Sequence, residues 1–299
     1  MGEGRLVLMV RIIRIVLVPL CLLALLLAPR PLRRAAGQAG QAADAREAPM
    51  PLVIAHRGAS AAAPENTLAA FELAWKMGAD GIEGDFYLTR DGHVVCIHDA
   101  STKRTAGRDL KVADSDLASL RKLDVGRWKA PKFAGQKIPT LDEVLATVPA
   151  GKRIYIEIKC GPDIVPPLKS GLARSRLESD QTIVISFNKA VIQRCKADLP
   201  GLKAFWLVGF RRDKAGKPSP AVADVLAGLK ATGADGLGVG GATGGLATTL
   251  AAELKRAGKE FHVWTIDDAE AARALAECGA RSVTTNWPDR IRDAFGPRD

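Results

Sequence analysis

Aromatic side chains are scarce in this chain of 299 residues: they make up 5% of it, with only two tyrosines. The basic residues are scattered rather than clustered around aromatics, which argues against nucleic-acid binding, where stacking and phosphate contacts act together. Five cysteines (Cys21, Cys96, Cys160, Cys195 and Cys278) show no C-x-x-C spacing, so no zinc pattern is present. Cys96 and Cys160 end or flank apolar runs, where a buried free thiol is expected. A long apolar run is also missing. Ile15–Ala28 holds fourteen residues without a charge, short of the about 20 that span a bilayer comfortably.

That run follows Arg5, Arg11 and Arg14, and Ala43-Asp44-Ala45 supplies an A-x-A cleavage pattern. Together they predict a secretory leader over residues 1–28. Extension of the run back to Ile12 leaves a membrane anchor as the alternative. Residues 29–50, rich in Ala, Gln, Arg, Gly and Pro, are too poor in large apolar side chains to fold and predict a linker. The expected location is exported, beyond or anchored to the cytoplasmic membrane. Residues 51–299 then form the folded domain.

Hydrophobic content of 47% and charged content of 25% are those of an ordinary globular protein. The net charge is +10; six arginines against Glu3 and Asp44 put +4 of it in the first 45 residues and +6 in the rest. A positive domain favours anionic phosphate substrates or membrane surfaces, although a basic surface without a partner reads the same way.

The chemistry concentrates between Val53 and Asp99. Val53-Ile54-Ala55 reads as a strand ending at His56-Arg57-Gly58. Pro64-Glu65-Asn66-Thr67 opens a helix with Thr67 as N-cap, an apolar stripe of Leu68, Phe71, Leu73, Ala74 and Trp75, and Gly78 as terminator. Glu83 and Asp85, two apart in the run Gly81–Leu88, share one face of a strand. Asp91-Gly92 predicts a hairpin, and a two-residue turn there sets Asp85 opposite His98. Carboxylate oxygens suit a hard divalent cation, and imidazoles beside it move protons at neutral pH.

Strands also read at Ile154–Lys159, Thr182–Phe187, Ala204–Val208, Leu237–Val239, His262–Ile266 and Ser282–Thr285. Helices read at Leu141–Thr147, Ala190–Ala197, Ala221–Thr232, Leu246–Arg256 and Asp268–Cys278. This alternation predicts an α/β protein, a (β/α)8 TIM barrel. Nine strand candidates imply an irregular second unit, a hairpin without a helix. A polar stretch at about 100–140, with a short helix near Leu117–Leu123, reads as an insertion after the third strand and over the barrel mouth. Chemistry in such barrels sits at the carboxyl ends of the strands, where His56, Glu83, Asp85 and Glu157 fall.

Strict alternation in Ile154–Lys159 puts Glu157 and Lys159 on the face of Tyr155. Inside a barrel such charges need partners. A Glu–Lys pair satisfies that need; beside Glu83 and Asp85, Glu157 is better read as a third ligand for one divalent cation, Ca2+ or Mg2+. Arg57 carries a planar fork suited to phosphate. His93 and His262 lack such company. Trp264 is either a core aromatic or a wall for the apolar part of a substrate. The glycine-rich Gly236–Gly245 segment reads equally as a phosphate cradle or a flexible loop.

In order, His56-Arg57-Gly58, Pro64-Glu65-Asn66-Thr67, Gly78-Ala79-Asp80, Glu83-x-Asp85, Thr89-x-Asp91-Gly92, Val95-x-x-His98-Asp99, Ile138-Pro139-Thr140-Leu141 and Glu157-Ile158-Lys159 resemble the glycerophosphodiester phosphodiesterases. The resemblance is dense from 53 to 159 and continues through Ile185-Ser186-Phe187 and Val263-Trp264-Thr265. It implies a barrel that hydrolyses deacylated phospholipids to glycerol 3-phosphate and an alcohol. It further implies a metal held at Glu83, Asp85 and Glu157, His56 and His98 as the acid–base pair, and Arg57 and Lys159 on phosphate oxygens. Asp267 and Asn286 depart from the pattern, which often has Asn and Asp there, and are expected to bear on alcohol or glycerol contacts. Two rival functions are a phospholipase of similar barrel acting on intact lipid or lysolipid, and a non-catalytic phosphate-ester binding protein. The second needs neither the histidines nor three carboxylates.

Overall fold

Eight parallel strands close on themselves in the computed structural model, which describes residues 50–296. The predicted leader and most of the linker lie outside the described residues. In chain order the strands are β1 (Leu52–Ala55), β2 (Gly81–Leu88), β3 (Val94–Cys96), β4 (Arg153–Ile158), β5 (Thr182–Ser186), β6 (Lys203–Gly209), β7 (Arg211–Arg212), β8 (Pro218–Ser219), β9 (Gly236–Gly240), β10 (Glu260–Trp264) and β11 (Ser282–Thr285). Parallel pairing runs β1-β11-β10-β9-β6-β5-β4-β2, and β2 returns to β1 to close the barrel. β3 pairs antiparallel with β2 outside the barrel, and β7 and β8 make a separate two-stranded ribbon. The ninth candidate strand is therefore β3.

The helices are α1 (Leu68–Lys76), α2 (Lys103–Ala106), α3 (Leu117–Leu120), α4 (Leu141–Leu145), α5 (Val165–Arg174), α6 (Lys189–Asp198), α7 (Val222–Thr232), α8 (Gly245–Arg256), α9 (Ala269–Glu277) and α10 (Pro288–Phe295). Sequence reading misses α5 and α10. Prolines fill the first turn of both, Pro166-Pro167 and Pro288. They read as breakers, yet proline is welcome where no helical N–H bond is due. Among the described residues no helix is long and apolar enough to cross a membrane.

Alternation along the strands separates two cores. Ile54, Tyr155, Ile183, Ile185, Phe205 and Leu207 fill the barrel, while Val53, Ile82, Ile154, Ile156 and Ile158 face outward into the larger core that also holds the helix side chains Phe71, Ala74 and Leu168. His56 continues the inward series of Leu52 and Ile54 at the carboxyl end of β1, and Glu157 and Lys159 continue that of Tyr155. Residues 100–140 carry a third cluster, in which Val112, Leu120, Leu123, Val125 and Ile138 pack on Val95 and Ile97.

Candidate active site

Register places the acidic residues. In the parallel β2–β4 ladder Asp85 lies beside Glu157 and Glu83 beside Tyr155. Glu83, Asp85 and Glu157 are 2%, 0% and 8% exposed, and each offers an oxygen within 4.8 Å of the others. Three carboxyl groups this close and this buried repel one another. Burial first, then Asp85 and Glu157, hold Glu83 well above the ordinary carboxylate value. Burial and Asp85 push Glu157 up to about 7.

Cations are already present. Lys159 Nζ donates to Glu157 Oε1 at 2.8 Å and lies 3.4 Å from Asp85 Oδ1, so the Glu–Lys pair and the carboxylate cluster coexist. Burial works against the Lys159 ammonium, yet Asp85 and Glu157 outweigh it and raise its value. Arg57 Nε lies 3.2 Å from Asp85 Oδ2, while its Nη1 donates to Glu65 at 3.0 Å. The Arg57 backbone adopts φ 55°, uncommon for a bulky residue, and in that conformation its N–H reaches Glu83 Oε2 at 2.9 Å. Glu83 Oε1 has no hydrogen-bond partner although buried. An orphaned carboxylate oxygen aimed into a carboxylate cluster fits a hard cation, so these three side chains are suited to hold one.

The hairpin register differs from expectation. Phe86 pairs with Cys96, so Asp85 faces Ile97, whose N–H donates to the Asp85 carbonyl at 2.8 Å. Thr89 and His93 close a three-residue loop, Arg90-Asp91-Gly92, in which Gly92 takes φ 83°. A three-residue loop ending in a left-handed glycine shifts the pairing by one relative to a two-residue turn. His98 lies beyond β3 and reaches the site from there.

His56, Arg57, Glu83, His98, Glu157 and Lys159 line one side of a cavity of about 210 Å3; Ile185, Phe187, Leu207 and Trp264 line the other. All eight residues expected at the site thus converge except that Asp85 is buried just beneath. His98 Nδ1 meets Asp99 Oδ1 at 2.8 Å, and His56 Nδ1 meets Asn286 Oδ1 at 2.7 Å. Burial and the Arg57 charge lower the His56 value from the usual imidazole range.

Trp264 is half-buried and meets Phe187 edge to face at 5.4 Å. A Cβ on Gly240 would sit 2.7 Å from its ring, and Gly238 also borders it. Gly238 and Gly240 of β9 make room for the indole, while Gly241 and Gly244 lie in the loop between β9 and α8. Trp264 is a wall of the cavity. His262 is a core histidine, stacked on Phe205 at 4.2 Å and bonded to Ser282 at 2.7 Å. Cys96 and Cys160 are free thiols, the first buried and the second partly so.

Sequence reasoning misses two supporting residues, Asn66 and Glu65, and misplaces a third, Asn286. Asn66, at φ 57° and 3% exposed, donates from Nδ2 to Asp85 Oδ2 at 2.8 Å and accepts the Asp85 N–H at 3.1 Å. Glu65 joins Arg57 to Arg104, and Arg104 in turn holds Asp99. Asn286, expected at the alcohol side, bonds His56 itself. The first two lie in the Pro-Glu-Asn-Thr motif, which locally reads as a helix start and otherwise enters only as part of the family resemblance.

A closed (β/α)8 barrel with clustered carboxylates, two imidazoles and two cations at the carboxyl end of its strands is a site suited to phosphoric diester hydrolysis. The chain matches the glycerophosphoryl diester phosphodiesterase family over residues 56–290 and belongs to it. It is 43% identical over 158 residues to a glycerophosphodiester phosphodiesterase of Caldanaerobacter subterraneus subsp. tengcongensis, covering 51% of this chain and 64% of that protein. It is 31% identical over 255 residues to one of Bacillus subtilis, covering 80% and 84%. Among solved structures, an Oleispira antarctica phosphodiesterase in complex with the product sn-glycerol-3-phosphate aligns with a TM-score of 0.74 and 28% identity, covering 83% of this chain and 98% of that one.

Proposed function

We propose that the chain hydrolyses glycerophosphodiesters to sn-glycerol 3-phosphate and an alcohol, assisted by one divalent cation at Glu83, Asp85 and Glu157. The observation that carries this reading is the orphaned Glu83 oxygen inside a buried carboxylate triad, on a cavity that both histidines line. The product complex of the Oleispira relative supports the substrate class.

When bound, the cation would draw charge off the phosphoryl oxygens. Arg57 and Lys159 hold phosphate oxygens and offset the negative charge that builds up as the diester opens. His56 and His98 are the acid–base pair: one takes the proton of the attacking oxygen and the other protonates the leaving alkoxide. Each ring is tied at Nδ1, to Asn286 or Asp99, which leaves Nε2 for the proton transfers. The test is turnover of purified protein on a panel of glycerophosphodiesters, with calcium or magnesium returned after chelation. His56→Ala and His98→Ala should each lower kcat by at least about 10² with an unchanged circular dichroism spectrum. Near-normal turnover in either variant removes that residue from the mechanism, and full activity in chelator removes the cation.

A second reading, cleavage of lysophospholipid, is favoured by the apolar wall of Ile185, Phe187, Leu207 and Trp264. Phe187 is 48% exposed at the rim, where an acyl chain would leave the cavity. Comparing glycerophosphocholine with lysophosphatidylcholine as substrates separates the two. The arginine-flanked run before Ala28 supports export or anchoring, testable by fractionating cells and sequencing the N-terminus of the recovered protein.

A further inference from the structure

Asp267 and Asn286, the two departures from the family pattern, face each other across the ends of β10 and β11. Asn286 Nδ2 donates to Asp267 Oδ2 at 2.7 Å, and the Asn286 N–H donates to Asp267 Oδ1 at 2.8 Å. Thr285 Oγ1 adds a third bond to Asp267 Oδ1 at 2.9 Å. On its other side, Asn286 Oδ1 meets His56 Nδ1 at 2.7 Å and accepts Ser60 Oγ at 2.8 Å.

An amide can turn end for end, and by itself it would serve either form of a neutral imidazole. An ionised carboxylate cannot turn its role: it only accepts. Asp267 therefore dictates that Asn286 points its NH2 toward β10 and its oxygen toward His56. That oxygen in turn requires a proton on His56 Nδ1, leaving the Nε2 lone pair free for the reaction. We infer that Asp267 and Asn286 are positioning residues for the hydrolysis, an acceptor–amide relay that fixes the His56 tautomer. The inference rests on His56 being catalytic, as proposed above. Burial and the nearby Arg57 charge lower its value, against weaker opposing influence from the Asn286 hydrogen bond, Asp85 and Glu65, which favours the neutral ring whose tautomer the relay fixes.

The pair also carries its own control. In Asp267→Asn the new side chain must keep its oxygen toward the Asn286 N–H and Thr285, so its NH2 faces Asn286. The Asn286 amide then turns over, presents NH2 to His56 and forces the proton onto Nε2. Exchanging both residues, Asp267→Asn with Asn286→Asp, restores an acceptor opposite His56 Nδ1 and a donor opposite that acceptor.

The expected result is a fall in kcat of at least about 10² for Asp267→Asn with little change in KM, because Arg57 and Lys159 are untouched. The double exchange should recover at least about a tenth of the original kcat, and thermal melting should show all proteins folded. Nitrogen-15 spectra of the imidazole, with the His56 signal identified by its loss in His56→Ala, should show the proton on Nδ1 in the original protein and in the double exchange, and on Nε2 in Asp267→Asn. Near-normal turnover in Asp267→Asn, a folded double exchange as inactive as the single one, or a His56 proton on the same nitrogen in all three overturns the inference. Should His56→Ala itself stay active, the catalytic assignment fails, while the spectra still judge the relay on its own terms.

Discussion

Single residues hold the acidic cluster in shape. Asn66 grips Asp85 from two sides and also accepts the Cys96 thiol at 3.2 Å. Outer partners of metal ligands typically change affinity by 10–100-fold, so Asn66→Ala should weaken calcium or magnesium binding by about that factor in a calorimetric titration. An unchanged affinity would leave Asn66 as a packing residue only. Gly58 is held differently. At φ 78°, a Cβ there would lie 2.6 Å from the Ala70 carbonyl carbon, in backbone that opens α1. Gly58→Ala should therefore destabilise the fold by at least about 1–3 kcal/mol, from overpacking alone, measured by urea denaturation.

Elements explain what the sequence disclosed and what it withheld. The barrel was legible because apolar strands and glycine-terminated helices alternate along the whole domain, and Glu83, Asp85 and Glu157 were legible because two-residue periodicity assigns a face. The hairpin register was not, since Asp91-Gly92 is compatible with both two- and three-residue loops. Gly92 is left-handed in either, and it is Asp91, which does not share that conformation, and the closing Thr89–His93 bond that decide between them. Helices α5 and α10 were hidden by their own prolines. The contact of Asn286 with His56 spans 230 positions, and no local pattern announces such a pair. The insertion is an element with its own stability. Leu120 is fully buried in its cluster, so Leu120→Ala should cost about 2–5 kcal/mol. Hydrogen exchange should then speed up across 100–140 while the amides of β4 and β5 stay protected. Uniform loss of protection would mean that the insertion and barrel unfold as one unit.

For the molecule as a whole, the carboxylate cluster links stability to pH. Glu157 binds its proton more tightly folded than unfolded, with its value pushed up to about 7, and Glu83 is shifted in the same direction. Such a group stabilises the fold fully below its unfolded value, and that contribution is lost as pH rises through the folded one. His56 and His262, both lowered by burial, act in the opposite sense, so the cluster's share is read against Glu157→Gln. In chelator, the melting temperature relative to that variant should fall between about pH 5 and about pH 8. A cation needs the ionised carboxylates, so millimolar calcium or magnesium should raise the melting temperature more at the alkaline end than at the acidic end. Equal shifts at both ends would separate the cation from this cluster. The apolar cluster under residues 100–140 has a consequence for engineering. The segment packs its apolar side chains on Val95 and Ile97, and its Arg104 holds Asp99 and Glu65, so it is anchored to the hairpin and the motif that carry His98 and Arg57. Replacing this stretch would therefore disturb how His98 and Arg57 are held unless the graft keeps a guanidinium at Arg104.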